Sequence, residues 1–282
     1  MLLLHLRLAK APLVLLVLGA AAAGYCLATG ASPGWETLVW TLLGTGLASG
    51  GANAFNQWAE SSSDALMRRT RLRPLPANRM APRHALVFAA DACLSGLLIL
   101  AAFTNWLAAG LCLAAVLIYL LVYTPLKKRS PICTLAGAVC GALPPLVGWA
   151  AAAGCLSYSA NLLALLLFVW QIPHFLALGW LHRSDYERAG FRILPVTDRS
   201  GRSTAWFALL YSLILLPLAL VLSLSGLTGS LGLVATFAAG LVLVLASLRL
   251  YREHSKANAK RLFVATLIYL PVVLAVLCLS VL

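Results

Sequence analysis

The sequence predicts an all-α, polytopic membrane protein, a single integral membrane domain over residues 1–282. Three observations carry this. Hydrophobic residues make up 62% of the 282 and charged residues only 10%, with a mean hydropathy of +0.92, far above what a soluble domain tolerates on its surface. Apolar runs of roughly 18 to 24 residues recur, each long enough to cross a ~30 Å hydrocarbon core. The basic residues fall into alternate loops.

Nine helices are expected, beginning near positions 11, 35, 85, 106, 133, 161, 204, 229 and 261. Arg7 and Lys10 precede the first. The loop after the second carries Arg68, Arg69, Arg71, Arg73, Arg79 and Arg83, and the loop after the fourth carries Lys127, Lys128 and Arg129. Arg183, Arg188, Arg192, Arg199 and Arg202 follow the sixth, and Arg249, Arg252, Lys256, Lys260 and Arg261 surround the gap between the last two. Together these are all 21 Lys and Arg residues, so every cation falls on one side. By the positive-inside rule that side is cytoplasmic, and so is the N-terminus.

The loops also suggest two similar four-helix halves, with large basic loops after helices 2 and 6 and a ninth helix appended. The net charge of +13 follows from topology and contact with anionic headgroups, and it excludes nucleic acid as a partner, since no soluble basic domain carries it. The seven cysteines lie in or at the ends of apolar helices without metal spacing and read as small hydrophobes. The first helix is short enough for a signal sequence, but the spans that follow make it a retained helix. Asp91, two turns into the third helix, is expected to be paired, protonated or facing a wet cavity.

Residues 53–76 concentrate oxygen ligands and cations. Asn56, Glu60 and Asp64 are spaced i, i+4, i+8 and share a helical face with Asn53 one turn earlier. Hard oxygen ligands of this kind suit Mg2+, which takes one or two carboxylates and completes its shell with water and phosphate. Asn56 and Asp64 would lie about 12 Å apart along a continuous helix, so one ion touches both only if the helix breaks. The run Ser61, Ser62, Ser63 makes a break plausible, because serines compete for backbone hydrogen bonds. Arg69 and Arg73 follow at once, where planar guanidinium forks can grip phosphate and Pro74 and Pro76 stiffen the loop. The bland alternative is a solvated, charged helix end.

Further along, Tyr123 and Lys127 end the fourth helix as phosphate partners or as an interfacial aromatic and a snorkelling lysine. Gln171 and His174 flank Pro173, which should kink the sixth helix and place polar groups toward the bundle interior. Asp185 is the second loop's metal-ligand candidate, with Tyr186 and Arg192 in reach of phosphate. His5, His84 and His254 read as interfacial.

These stretches carry a family resemblance. Residues 53–76 are similar to the signature N-x-x-N-Q-x-x-E-x-x-x-D-x-x-M-x-R-T-x-x-R-P-L-P of the haem O synthase branch of the UbiA-type membrane prenyltransferases, and Tyr123 to Lys127 resembles the superfamily's Y-x-x-x-K element. Gly141 to Trp149, Trp170 to Phe175 and Asp185 to Val196 also resemble elements of that branch. The resemblance implies nine helices around a central cavity, with a polar site at the cytoplasmic end. It implies Mg2+ held by Asn56, Glu60, Asp64 and Asp185, and diphosphate held by Arg69, Arg73, Tyr123, Lys127, Tyr186 and Arg192.

The implied reaction moves a farnesyl group from farnesyl diphosphate to a vinyl group of haem B, with addition of water, giving haem O and diphosphate. Asn53, Gln171 and His174 would lie near the haem, His174 packing beside it or ligating its iron. A bacterial inner-membrane location is implied, with haem A synthase or terminal-oxidase assembly factors as partners. Two departures stand out: the second loop has Asp185 where many relatives outside the branch have D-x-x-x-D, and the serine run replaces a commonly charged stretch. The alternatives are prenyl transfer to an aromatic acid, a quinone precursor or chlorophyllide, and transport; clustering of the candidates on one face favours catalysis over transport.

Overall fold

Inside a bilayer only internal hydrogen bonding satisfies backbone N–H and C=O groups, so long apolar runs must become helices. The structure, a computed structural model, describes residues 1–30, 32 and 34–280. Its helices are α1 (Leu2–Leu8), α2 (Ala11–Thr29), α3 (Trp35–Ala59), α4 (Ser61–Leu66), α5 (Pro82–Phe103), α6 (Trp106–Leu117), α7 (Thr124–Leu126), α8 (Cys133–Ala153), α9 (Tyr158–Leu181), α10 (Arg183–Arg188), α11 (Leu194–Thr197), α12 (Arg202–Leu224), α13 (Ser230–Arg252) and α14 (Lys256–Leu279). A π-helical stretch, Ile118–Tyr123, joins α6 to α7.

Among the described residues, eight helical segments are long and apolar enough to cross a membrane, the run Trp106–Leu126 counting as one. The expected nine differ by α3. At 25 residues it has the length, but Asn53, Asn56, Gln57, Thr41 and Thr45 are buried along it and dilute its apolar character. The last span begins earlier than position 261, because the Ser255 side chain caps α14 by accepting from the Asn258 amide.

Neighbours in sequence pack as neighbours in space: α2 on α3, α3 on α5, α5 on α6, α6 on α8, α8 on α9, α9 on α12, α12 on α13 and α13 on α14. Helix α14 then returns to touch α2 and α9 and closes the circuit. Where lipid tails are as apolar as the side chains, close backbone approach replaces the hydrophobic effect as the cohesive force. Gly148 of α8 and Gly24 of α2 supply that approach from both sides. A Cβ at Gly148 would fall 1.8 Å from the Ala21 carbonyl oxygen, and one at Gly24 would fall 2.0 Å from that of Pro145.

Helix α1 is a short strap outside the bundle. His5 Nε2 meets His84 Nε2 at 2.8 Å, and the buried Gln57 of α3 donates through Nε2 to the Arg7 and Leu8 carbonyls at 2.8 and 2.7 Å. These bonds satisfy carbonyls that the helix end would leave open. The chain then turns through Lys10 in the left-handed region, φ 53° and ψ 54°, an arrangement that a non-glycine residue adopts only when its surroundings hold it there.

Asp91 does not line the cavity. It is exposed on the outward face of α5, near the similarly exposed Val87 and Leu94, and forms no ion pair among the described residues. The reason is geometric: the inner face of α5 is taken by Ala85, Ala89, Ala92 and Gly96 packing on α3.

The α2–α8 contact gives a direct test. Gly148→Leu should destabilise the detergent-solubilised protein by at least the ~1–3 kcal/mol typical of overpacking, read as an earlier loss of monodispersity on heating. The same change at Gly110, whose Cβ would meet nothing within 4 Å, should leave it unaltered.

Candidate active site

The end of α3 positions the site. Asn53 and Asn56 are buried on its last turns, and the helix stops at Glu60 (φ −100°, ψ 8°), one residue ahead of the serine run, before α4 resumes toward Asp64. The break expected near the serines is therefore present. It gathers Asn56, Glu60 and Asp64 on the wall of one cavity instead of stringing them along a rod.

Each of the three side chains has a cationic partner. Glu60 pairs with Lys127, and Asp64 Oδ2 lies 2.7 Å from the Arg73 guanidinium. Asn56 Oδ1 accepts from Lys10 Nζ at 2.7 Å, while its Nδ2 donates to Thr124 Oγ1 at 3.0 Å. The Thr70 hydroxyl donates to the Asp64 carbonyl at 2.9 Å and ties the arginine-bearing loop to α4. Asp64 Oδ1 is buried and has no hydrogen-bond donor. An unpaired carboxylate oxygen in such surroundings is unfavourable unless something positive completes it.

The π-helical stretch sets the opposite wall. It brings Tyr119 and Tyr123 into parallel stacking at 5.5 Å, with the Tyr119 hydroxyl donating to Asn53 Oδ1 at 3.2 Å and Lys127 Nζ 4.8 Å from the Tyr123 ring centroid. Such π segments inside α-helices are frequent at functional sites.

The loops after α4 and α9 clasp one another over the mouth. Met67 packs with Ala189 and Phe191, and the Arg69 guanidinium donates to the Tyr186 hydroxyl at 3.2 Å. Asp185 takes part in the clasp but does not line the cavity, contrary to its expected place as a metal ligand. Its Oδ1 accepts from the Arg68 amide and pairs with Arg188. Burial alone would raise its pKa, yet those two donors outweigh burial and hold it below the usual carboxylate value. Arg192 is also displaced from expectation: its side chain is exposed outside the cavity because Phe191 occupies the inward place, and its contribution is a backbone N–H bonded to the Lys127 carbonyl at 2.7 Å.

Behind the polar mouth the cavity, about 710 Å³, turns apolar. Leu13, Val17, Val116, Pro144 and Val147 line it, and Gln171 and His174 face it from α9. Gly141 makes room for Gln171, since a Cβ there would fall 2.0 Å from Gln171 Oε1.

Sequence reasoning missed Lys10, Tyr119 and Thr124. Lys10 read as a topology-setting charge, and nothing in its local pattern points elsewhere, because its partner Asn56 is 46 residues away. Although Lys10 keeps part of its surface, that surface faces the cavity; desolvation, reinforced by Arg73 and Lys127, lowers its pKa to about 7, with Glu60 and Asp64 pulling the other way.

Four cations (Lys10, Arg69, Arg73, Lys127) thus face two carboxylates around the mouth, a net positive surface suited to a polyanion. The donors available to a metal are all hard oxygens. Among the described residues no three His, Cys, Asp or Glu side chains converge, so an ion would need water and phosphate to complete its shell. Together with the orphaned Asp64 oxygen, that donor set fits Mg2+ and not a soft-ligand metal.

The UbiA prenyltransferase family model matches residues 17–270. Protoheme IX farnesyltransferase of Koribacter versatilis is 43% identical over 251 residues, 86% of this chain and 81% of that protein. A solved structure of digeranylgeranylglyceryl phosphate synthase superposes with a TM-score of 0.83 at 18% identity, covering 99% of this chain and 98% of that one. An Archaeoglobus fulgidus UbiA homologue bound to GPP and Mg2+ superposes at 0.67 and 15% identity, over 97% and 99%. Nine-tenths of the chain falls within the family match, on a fold shared with solved members, and the chain belongs to the UbiA prenyltransferase family.

Proposed function

We propose that the protein transfers the farnesyl group of farnesyl diphosphate to a vinyl group of haem B, giving haem O. The observation that carries prenyl transfer is the junction of a cation-rich, carboxylate-bearing mouth with an apolar cavity, which fits a molecule that is a polyanion at one end and a hydrocarbon at the other. The acceptor rests on the naming of relatives at 36–43% identity as protoheme IX farnesyltransferases.

Asn56, Glu60 and Asp64 would hold Mg2+, and when bound it would neutralise charge on the diphosphate. The protein's own part is organised around that head group. In the ligand-free protein Lys10 sits on Asn56 and Lys127 on Glu60, so each ammonium occupies the place a cation would take. On substrate binding the lysines turn to phosphate oxygens, joined by Arg69 and Arg73, and grip the leaving group more tightly as its charge grows.

Heterolysis of the C1–O bond leaves the electron pair on the diphosphate and a farnesyl cation in the cavity, where apolar walls exclude the water that would quench it. The haem vinyl π-electrons form the new C–C bond. The resulting porphyrin-side cation takes up one water, which loses a proton to become the hydroxyl. Asp185, pinned by Arg188 and the Arg68 amide, keeps the two loops closed over the mouth. The basic loops support a mouth and N-terminus on the cytoplasmic side of a bacterial inner membrane, and haem A synthase or oxidase assembly factors would be the recipients of the product.

Incubating purified protein with farnesyl diphosphate, magnesium and haem B, followed by mass analysis of the porphyrin, tests the reading. Glu60→Gln and Asp64→Asn should each lower turnover at least about a hundredfold without loss of fold, and chelation should abolish it; transfer to a phenolic acid with haem left intact would overturn the acceptor.

A second test uses Lys10. Only its ammonium form binds an anion, so affinity for farnesyl diphosphate is fullest below pH 7 and falls as pH rises past about 7. Lys10→Met should weaken KM about tenfold at pH 6.5 and flatten that dependence between pH 7 and 9.

A further inference from the structure

His174 of α9 sits at the cavity wall, held on three sides. Its ring stacks on Trp170 with centroids 5.2 Å apart and interplanar angle 25°, lies 5.0 Å from Phe263, and meets the edge of Phe175 at 5.7 Å. Its one hydrogen bond among the described residues joins Nδ1 to Thr266 Oγ1 at 2.9 Å. Thr266 is fully buried on α14, and its hydroxyl also lies 2.6 Å from the Phe263 carbonyl oxygen.

That second contact decides the tautomer. A hydroxyl has one proton, and a carbonyl can only accept, so the Thr266 proton is committed to Phe263. Toward His174 the threonine can therefore only accept, which requires the imidazole proton to be on Nδ1. Nε2 is left with a bare lone pair and no protein partner, on a ring that lines the cavity. A histidine whose distal nitrogen is fixed as a donor is the arrangement that orients an imidazole for metal ligation.

Resting on the haem-acceptor reading, we propose that His174 Nε2 is an axial ligand to the iron of the acceptor porphyrin, and that Thr266 is a positioning residue that fixes the tautomer making this possible. Ligation would seat the macrocycle at a set depth, so that one vinyl edge faces the polar mouth and the propionates are kept from competing for the cations there. Trp170, itself anchored by an Nε1–H bond to the Thr266 carbonyl at 2.9 Å, holds the ring plane. Iron thereby becomes the feature by which the cavity distinguishes haem from other flat aromatic acceptors.

Titrating the purified protein with haem B, followed by the Soret band, and in parallel with metal-free protoporphyrin IX, followed by fluorescence, separates ligation from packing. His174→Ala should weaken haem B binding about tenfold or more and shift its Soret band, while leaving affinity for the metal-free porphyrin unchanged; the latter also reports an intact cavity. Thr266→Val should show a smaller loss with the same iron selectivity, and Thr266→Ser, which keeps the hydroxyl, should behave as wild type. Equal loss of both porphyrins in His174→Ala, or no loss of either, overturns the proposal while wild-type farnesylation of haem leaves the acceptor reading standing. Failure of the wild type both to bind and to farnesylate haem B overturns the two together.

Discussion

Two carboxylates buried at the end of α3 dictate the layout of the site. Glu60 and Asp64 are both buried, and each is paired with a cation, which offsets the desolvation penalty of burying its charge. Lys127 reaches Glu60 from the far end of the π-helical stretch, and Arg73 reaches Asp64 from the loop below. Lys10 joins at Asn56 from the strap before α2. Three segments are thus drawn to the end of α3, and the cavity mouth is the place where they converge.

The same pairing explains how a site can be held together by the protein's own charges and still be receptive. Replacing a buried ion pair's partner is costly if the charge is left bare, but a metal–diphosphate unit offers both signs at once: positive charge for the carboxylates and negative charge for the released lysines. Asp64 Oδ1 is a buried carboxylate oxygen for which the described residues supply no partner. On the proposed reading a bound cation would complete it, a form of preorganisation.

Much of this was legible in the sequence, for identifiable reasons. Helix positions follow from apolar run length, because the bilayer acts on composition and local sequence reports it. Asn56, Glu60, Asp64, Arg69 and Arg73 were visible as a cluster because one short stretch holds them. Lys10 and Thr124 were not, since each acquires its place through a partner 46 or 68 residues away. Asp185 and Arg192 lie outside the cavity lining: residue type points to ligand and phosphate contact, while Phe191 takes the inward place and Arg188 pairs with Asp185.

The second loop holds its carboxylate differently from the first. Asp185 has its nearest donors on its own helix and on the Arg68 amide, so its charge is already answered before any metal arrives. Asp64, by contrast, has only one oxygen answered. On the proposed reading the first loop would meet the diphosphate and the second would close over it. Closure matters because the cation formed beneath reacts with whatever nucleophile is nearest; the clasp of Met67 against Ala189 and Phe191, with Arg69 on Tyr186, keeps that nucleophile from being bulk water until the carbon–carbon bond exists.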